Sequence, residues 1–482
     1  MLTRRLMASI LCALIQGGST IAAHAGSAAR PEQRELTLSL SDAVFIGLRN
    51  NTSIRSAYID RIAQQFDLRV AEDVFTPHVS INAQALHQRT MAGTSDTMTA
   101  APQVTAATPL GTTFDFTWNN ALTNTPGQRS RSSVGQFTFN QPLLNGAGID
   151  VNMAPVRTAR LTEQNNVLNL QATISQTIAN IILSYRAVMQ ASKALSLAEE
   201  AEKRAATLLD NNKAMVAAGR LARLDLVQNE ADLANQRLAI LQARQQLQTN
   251  ELALLTLLSL NLQTKIQMKE RPETPNPNFS VDRLLSIAFA KRQDYLAQIN
   301  NVEMSRLGVV VAENQRLWNL SIVGGVAIGK TLDASAGVNT GTKVLDRSIG
   351  IQLSGPLNDL HPEQAAIHAS TSLKSAELQL EVIHQGVEQQ IRTSVAVVQL
   401  GWQQLDVARK AETLALNAVD IERQKMAVGK SSVFQVQSLE ATYRNAQTQT
   451  LNAEISYLNS LTALDLVLGT TCDTWKINVV AK

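Results

Sequence analysis

The chain is written twice. Shifted by 210 residues, the segment from Gly219 to Leu258 falls on Gly429 to Leu468 without a gap. Gly219 meets Gly429, Glu230 meets Glu440, Ala231 meets Ala441, Asn235 meets Asn445, Leu241 meets Leu451, Ala243 meets Ala453, Ala253 meets Ala463, Leu254 meets Leu464 and Leu258 meets Leu468. Upstream the offset grows to 214, where the run from Phe137 to Leu143 meets Ile351 to Leu357. It then grows to 241, where Ala71-Glu72 meets Ala312-Glu313 and Ser80-Ile81 meets Ser321-Ile322. Self-similarity at this period means one structural unit used twice. The first copy carries extra residues, mostly between about 90 and 131.

Proline and glycine delimit each unit. No proline lies between Pro155 and Pro272, and Gly219 is the sole glycine of that span. The remainder is rich in helix formers, which predicts a helix from about Val156 to Val216, a turn at Ala217-Ala218-Gly219 and a return helix to about Leu260. At ~1.5 Å per residue the first arm is on the order of 90 Å long. The second copy has no proline after Pro362 and turns at Val428-Gly429. Ile174, Ile178, Ile181, Ile182 and Tyr185 recur at helical spacing, as do Leu238, Leu241, Leu252 and Leu255, and these are the expected seams. By themselves such hairpins are equally those of an ordinary long antiparallel coiled coil. Two further helices are expected at about Ser41–Phe75 and Val281–Leu317.

Ahead of each hairpin the period changes from about 3.6 to 2. Val79, Ile81, Ala83 and Ala85 alternate with polar residues, as do Phe114, Phe116 and Trp118, then Phe137 and Phe139, and in the second copy Ile349, Ile351 and Leu353. One apolar and one polar face suits a strand of a membrane barrel and equally a soluble, half-buried sheet. In lipid an open sheet edge is not tolerated. A chain with about two strands per unit therefore needs partners, and three chains would close ~12 strands.

The N-terminus points to export. Arg4-Arg5 precede an apolar run from Leu6 to Ile15, and Ala23-His24-Ala25 has the small-x-small form of a cleavage site. The expected organisation is a signal peptide at 1–25, a first repeat at 36–271, a second at 278–470 and a C-terminal tail at 471–482. Without the leader's two arginines the chain has 41 basic against 40 acidic residues, so no field for nucleic acid is built. The two cysteines, Cys12 and Cys472, make no disulfide framework. The six histidines do not stand at metal-ligand spacing with other ligands, and no phosphate loop, nucleophile elbow or carboxylate dyad is present. No enzyme, cofactor or metal is expected.

Local wording and order of elements together resemble the TolC-like outer-membrane efflux proteins. Leu38 to Ala43 with Asn50-Asn51 is similar to that family's opening helix. The run from Gln141 to Gly148, followed by Asp150 to Arg157, is similar to its strand-to-helix junction. Gly219 with Asp225-Leu226-Val227-Gln228 and Glu230 is similar to the tip of its first hairpin. The resemblance spans about residues 36 to 470. It implies a mostly α protein with a membrane β-barrel: a homotrimer with a 12-stranded barrel in outer-membrane lipid and a long α-helical periplasmic tunnel. Such a protein is the passive exit duct of a tripartite efflux or type I secretion system. A periplasmic adaptor (membrane fusion) protein docks on the hairpin tips and links them to an inner-membrane RND or ABC transporter, in the envelope of a Gram-negative bacterium. Carried over by position, the docking tips are Val216, Ala218, Gly219, Arg220, Val428, Gly429 and Lys430, and the periplasmic aperture is ringed by Asp225, Gln435 and Ser438. Where other members place an aromatic and an arginine around the second tip, this chain has Met426 and Ser431. Lys430 then stands as the partner for Asp225. The competing reading is a periplasmic coiled-coil adaptor or structural spacer without channel activity.

Overall fold

A computed structural model describes residues 35–477, except 92, 220–222, 270–273, 278, 336–337 and 356. The signal peptide expected at 1–25 and the end of the tail lie outside the described residues. The first repeat opens with β1 (Glu35–Leu38), α1 (Leu40–Asn50) and α2 (Thr52–Glu72). Four strands follow: β2 (His78–Thr90), β3 (Gly93–Ala107), β4 (Thr113–Thr125) and β5 (Gln128–Pro142). A single turn, α3 (Ile149–Asn152), precedes the long hairpin of α4 (Ala154–Ala217) and α5 (Arg223–Leu257), and β6 (Lys265–Met268) closes the unit. The second repeat is α6 (Val281–Lys291), α7 (Gln293–Gln315), β7 (Asn319–Ser335), β8 (Val338–Ser354), α8 (His361–Ala427) and α9 (Val433–Leu468), followed by the short α10 (Thr471–Thr474).

The long helices start and stop where the sequence permits. Pro155 and Pro362 sit in the first turns of α4 and α8, where a missing N–H costs no helical hydrogen bond. The helix expected at Ser41–Phe75 is divided at Asn51. Its side chain accepts from the backbone N–H of Ser53 and Ile54, and its amide donates to the Leu257 carbonyl of α5 at 2.9 Å. The helix expected at Val281–Leu317 is divided likewise at Arg292. The two breaks are separated by the same 241 residues as the neighbouring sequence repeat, so the duplication is visible in the backbone itself.

The cores are duplicated too. One cluster packs Ile174, Ile178, Ile182 and Tyr185 of α4 against α1 and α5, and the Tyr185 hydroxyl donates to the Leu38 carbonyl at 3.0 Å. The other packs Val387, Ile391, Val395 and Val398 of α8 against α6 and α9. The four positions correspond one to one at an offset of 213. The seam expectation holds for Ile174, Ile178, Ile181, Ile182, Tyr185 and Leu255, all buried. It fails for Leu238, Leu241 and Leu252, which are exposed on the lone chain. The contacts of α5 with α4 are made through other positions, leaving these leucines outward.

β1 and β6 form a small parallel pair that joins the two ends of the first repeat. The main sheet is wholly antiparallel in the order β2-β3-β4-β5-β7-β8. This corrects the expectation of about four strands per chain, on which a 12-stranded closure rested: the described residues hold six in one sheet. The extra residues of the first copy are β3 and β4. Their ladder lapses at Ala101 and Pro102, since proline offers no N–H to a neighbour. Among the described residues no helix is long and apolar enough to cross a membrane.

Candidate functional site

At the far end of each hairpin the chain reverses through a glycine with positive φ: +70° at Gly219 and +76° at Gly429. Gly219 N–H donates to the Val216 carbonyl at 3.0 Å, and Ala218 N–H to Ala214 at 3.1 Å. In the second tip Gly429 N–H donates to Met426 at 3.0 Å, and Lys430 N–H reaches Lys425 at 2.9 Å. These bonds satisfy carbonyls that a helix end would otherwise leave open, and the left-handed geometry suits glycine. A Cβ at either glycine would meet no atom within 4 Å. The space over both tips is open, and their backbone is accessible to another molecule. Ala218 and Val428 are exposed, Val216 half-buried. Arg220 lies outside the described residues.

Asp225 lies in the first turn of α5, and its side chain is outside the described residues, as is its pairing with Lys430. Gln435 and Ser438 lie exposed on α9, three residues apart and so on one face. Both are uncharged. Ser431, at the position where the resemblance placed an arginine, turns back within its own hairpin: its hydroxyl donates to Glu422 at 2.6 Å, and Lys425 Nζ contacts the same carboxylate at 3.1 Å. The Ser431 hydrogen bond, and then Lys425, hold Glu422 below the usual carboxylate range.

Between the two hairpins lies a polar column that sequence reasoning missed. Glu440 of α9 is 6% exposed. Its carboxylate contacts the Arg423 guanidinium of α8 and lies 3.3 Å from Arg204 Nε of α4. The Arg204 guanidinium also rests 5.5 Å above the Tyr443 ring. One turn either way, Gln437 donates to Asn229 at 2.5 Å and Arg444 pairs with Asp232 at 3.6 Å. Residues 437, 440 and 444 share one face of α9, and through it the second hairpin grips both arms of the first. Nearer the sheet, Arg186 of α4 donates to the Leu458 carbonyl at 2.6 Å and to Thr462 Oγ1 at 2.8 Å, both on α9. Burial pushes its pKa down to about 10. The sequence did align Glu440 with Glu230 in the repeat. Yet Glu230 is exposed and Glu440 buried, and the cation partners lie on other helices, beyond the reach of local spacing.

Residues 47–259 match the model of a family described as outer membrane efflux protein. No curated protein matches the chain by sequence. Solved structures match across both repeats. The VceC outer membrane protein of Vibrio cholerae is 16% identical with a TM-score of 0.67, over 89% of this chain and 96% of that one. The CmeC outer membrane channel of Campylobacter jejuni is 15% identical with a TM-score of 0.65, over 89% and 85%. The MtrE outer membrane channel of Neisseria gonorrhoeae, in its open state, is 17% identical with a TM-score of 0.65, over 89% and 88%. Residues 47–259 thus carry the pattern of the outer membrane efflux protein family, and nearly the whole chain has the fold of the solved outer-membrane channels.

Proposed function

We propose that three copies of the chain form an outer-membrane exit duct, a closed barrel in lipid above a helical periplasmic tunnel. It conducts cargo passively from an inner-membrane RND or ABC transporter through a periplasmic adaptor, in efflux or type I secretion. The observation that carries this reading is the unfinished surface of the single chain. Its sheet ends on two open edges, β2 and β8, with Val79, Ile81, Ile349 and Ile351 exposed along them. An apolar sheet face with open edges suits lipid only when neighbours close it. The helices are unfinished in the same way. Ile59, Ile62, Phe66 and Val70 form an exposed row on α2, and Leu400, Val407, Leu414 and Ile421 form another on α8 at seven-residue spacing. A heptad row is the seam of a helix–helix contact, and among the described residues no helix of the same chain covers it.

The energy for transport comes from the partner, and the duct supplies a water-lined path. The exported N-terminus and the accessible tips at Gly219 and Gly429 support the placement and the adaptor docking. A coiled-coil spacer in the periplasm accounts for the hairpins but not for the apolar sheet. Negative-stain imaging of protein extracted from outer membranes in mild detergent tests the proposal. Threefold hollow cylinders longer than ~100 Å are expected. Monomers soluble without detergent would reject it.

A further inference from the structure

We infer that the barrel closes on eighteen strands, six from each of three chains, and that its pore through the outer membrane is correspondingly wide. The inference rests on the trimeric channel proposed above. It turns on whether β3 and β4 lie in the membrane wall or stand above it as an added hairpin.

The register answers this row by row, because residues paired across antiparallel strands share a face. Val79, Ile81 and Ala83 of β2 stand opposite Val104, Pro102 and Ala100 of β3. Val104 and Ala106 stand opposite Phe116 and Phe114 of β4, which stand opposite Phe137 and Phe139 of β5. These oppose Val326 and Gly324 of β7, and Gly324 opposes Ile349 of β8. One mainly apolar band thus crosses all six strands, interrupted on β8 by Arg347, which stands opposite Val326. The other face is mainly polar in β2, β3, β4, β5 and β8, with Ser80, Gln103, Thr117, Thr138 and Ser348 among its residues, and is made of small residues such as Gly325 and Ala327 in β7. A hairpin standing in water above the bilayer would not need this band, nor hold it in register with the strands on either side.

The turn between β3 and β4 fixes their depth. It comes down to the strand-to-helix junction at the base of the sheet. There Gly148 N–H donates to the Leu110 carbonyl at 3.3 Å, and the Thr112 hydroxyl bonds Gln141. Gly111, at φ +93°, leaves only 2.2 Å between a would-be Cβ and the Gly146 carbonyl oxygen. β3 and β4 therefore span the same levels as β2 and β5. Each of the six strands has 13 to 17 residues, more than the ~9–11 that cross a bilayer. An even count also makes β2 and β8 run in opposite directions, so β8 of one copy meets β2 of the next in antiparallel pairing. Barrel diameter rises roughly linearly with strand number. At ~4.8 Å strand spacing and ~40° tilt, eighteen strands give a backbone diameter of ~36 Å against ~24 Å for twelve. The outer-membrane section then admits bulkier solutes than a four-strand chain would allow, and any sieving falls to the hairpin tips.

Depth-dependent quenching tests this in the intact protein. In a Cys472→Ser background, Ile81→Cys, Val104→Cys and Ile349→Cys each carry a fluorophore, and the protein is reconstituted in vesicles with spin-labelled lipid. Equal quenching at all three is expected, with Gln103→Cys escaping it. Quenching at 81 and 349 but not at 104 would place the added hairpin outside the bilayer and overturn the inference, while leaving the channel intact. Absence of quenching at all three would remove the channel reading and the inference together. End-on cryo-electron microscopy of the detergent trimer gives a second measurement. Eighteen strands are expected, and a twelve-stranded trimer overturns the inference.

Discussion

Arg204 of the first hairpin and Glu440 of the second stand 3.3 Å apart, Nε to carboxylate, with Arg423 on the other side of the same acid. The two hairpins share this one carboxylate close to the tips, so separating them there strips a buried acid of a cation. The ion pair lacks hydrogen-bond alignment, and the carboxylate oxygen facing Arg204 has no hydrogen-bond partner. Leaving a buried acid short of a cation is unfavourable, so this contact favours keeping the two hairpins together.

Glu440→Gln keeps the shape and removes the charge. With the tie weakened by about 1.4 kcal/mol, a closed-to-open equilibrium at the tips shifts about tenfold. Planar-bilayer recording of the purified trimer is expected to show more open time and higher mean conductance, and Arg204→Met is expected to do the same. A lower melting temperature with unchanged conductance in both variants would make the column a structural fastening without a role at the aperture.

The tip glycines separate folding from docking. Asparagine tolerates the left-handed backbone better than other side chains do. Gly219→Asn and Gly429→Asn are therefore expected to melt within a few degrees of the parent. Gly219→Val, by contrast, carries about 1–3 kcal/mol of strain at φ +70°. If the adaptor's backbone seats directly on these turns, the asparagine variants lose adaptor cross-linking in cells despite normal trimers. Retained cross-linking would leave the glycines with turn geometry alone.

Acid should weaken the joint between α2 and α4. The Arg61 guanidinium donates to Glu163 with one bond at 2.8 Å, and holds that carboxyl below its ordinary value of 4.5. A depressed folded-state pKa gives stability that is complete above the unfolded value and lost as pH falls through the folded one. The melting temperature of the parent should therefore hold from neutrality to about pH 4.5, then fall with an added slope. Glu163→Gln should lose about 1–2 kcal/mol at neutral pH and converge on the parent in acid. A constant gap between the two from pH 7 down to 3 would show that Glu163 is not the titrating group.

The sequence foretold most of the long helices and four of the six strands of the sheet, β2, β4, β5 and β8. Pro155, Pro362, Gly219 and Gly429 are residues whose backbone limits act locally, so the long helices begin and end within a few residues of expectation. Asn51 breaks its helix by a side-chain cap and a bond to Leu257. Asparagine is tolerated inside helices, and its partner is far away in sequence. β3 escaped notice because its apolar row is Met98, Ala100, Pro102 and Val104. Two members are weakly apolar and one is a proline, which normally argues against an interior strand. The Glu440 column joins four helices, and no periodicity within one helix reveals such a group. Leu238 and Leu241 have the right spacing for a seam but are exposed, since spacing says that a face is apolar and not what covers it.

The row on α8 supplies the last test. Leu414 is 68% exposed on the single chain, with Val407, Leu400 and Ile421 above and below it at seven-residue intervals. In an assembled tunnel this row would be covered by the next copy, and burying each such side chain contributes roughly 1.5–3 kcal/mol. Leu414→Glu puts a charge into that seam, where it has no partner, while leaving the exposed surface of the monomer undisturbed. Helix content by circular dichroism is expected to match the parent, while size-exclusion with light scattering in detergent shows loss of the trimer. Val407→Glu is expected to act alike. Asp406→Asn, beside it on the helix and paired with Lys410 at 2.6 Å, is expected to leave the trimer intact. A stable trimer in Leu414→Glu would mean that the row faces water or another protein, and that the copies meet through α2.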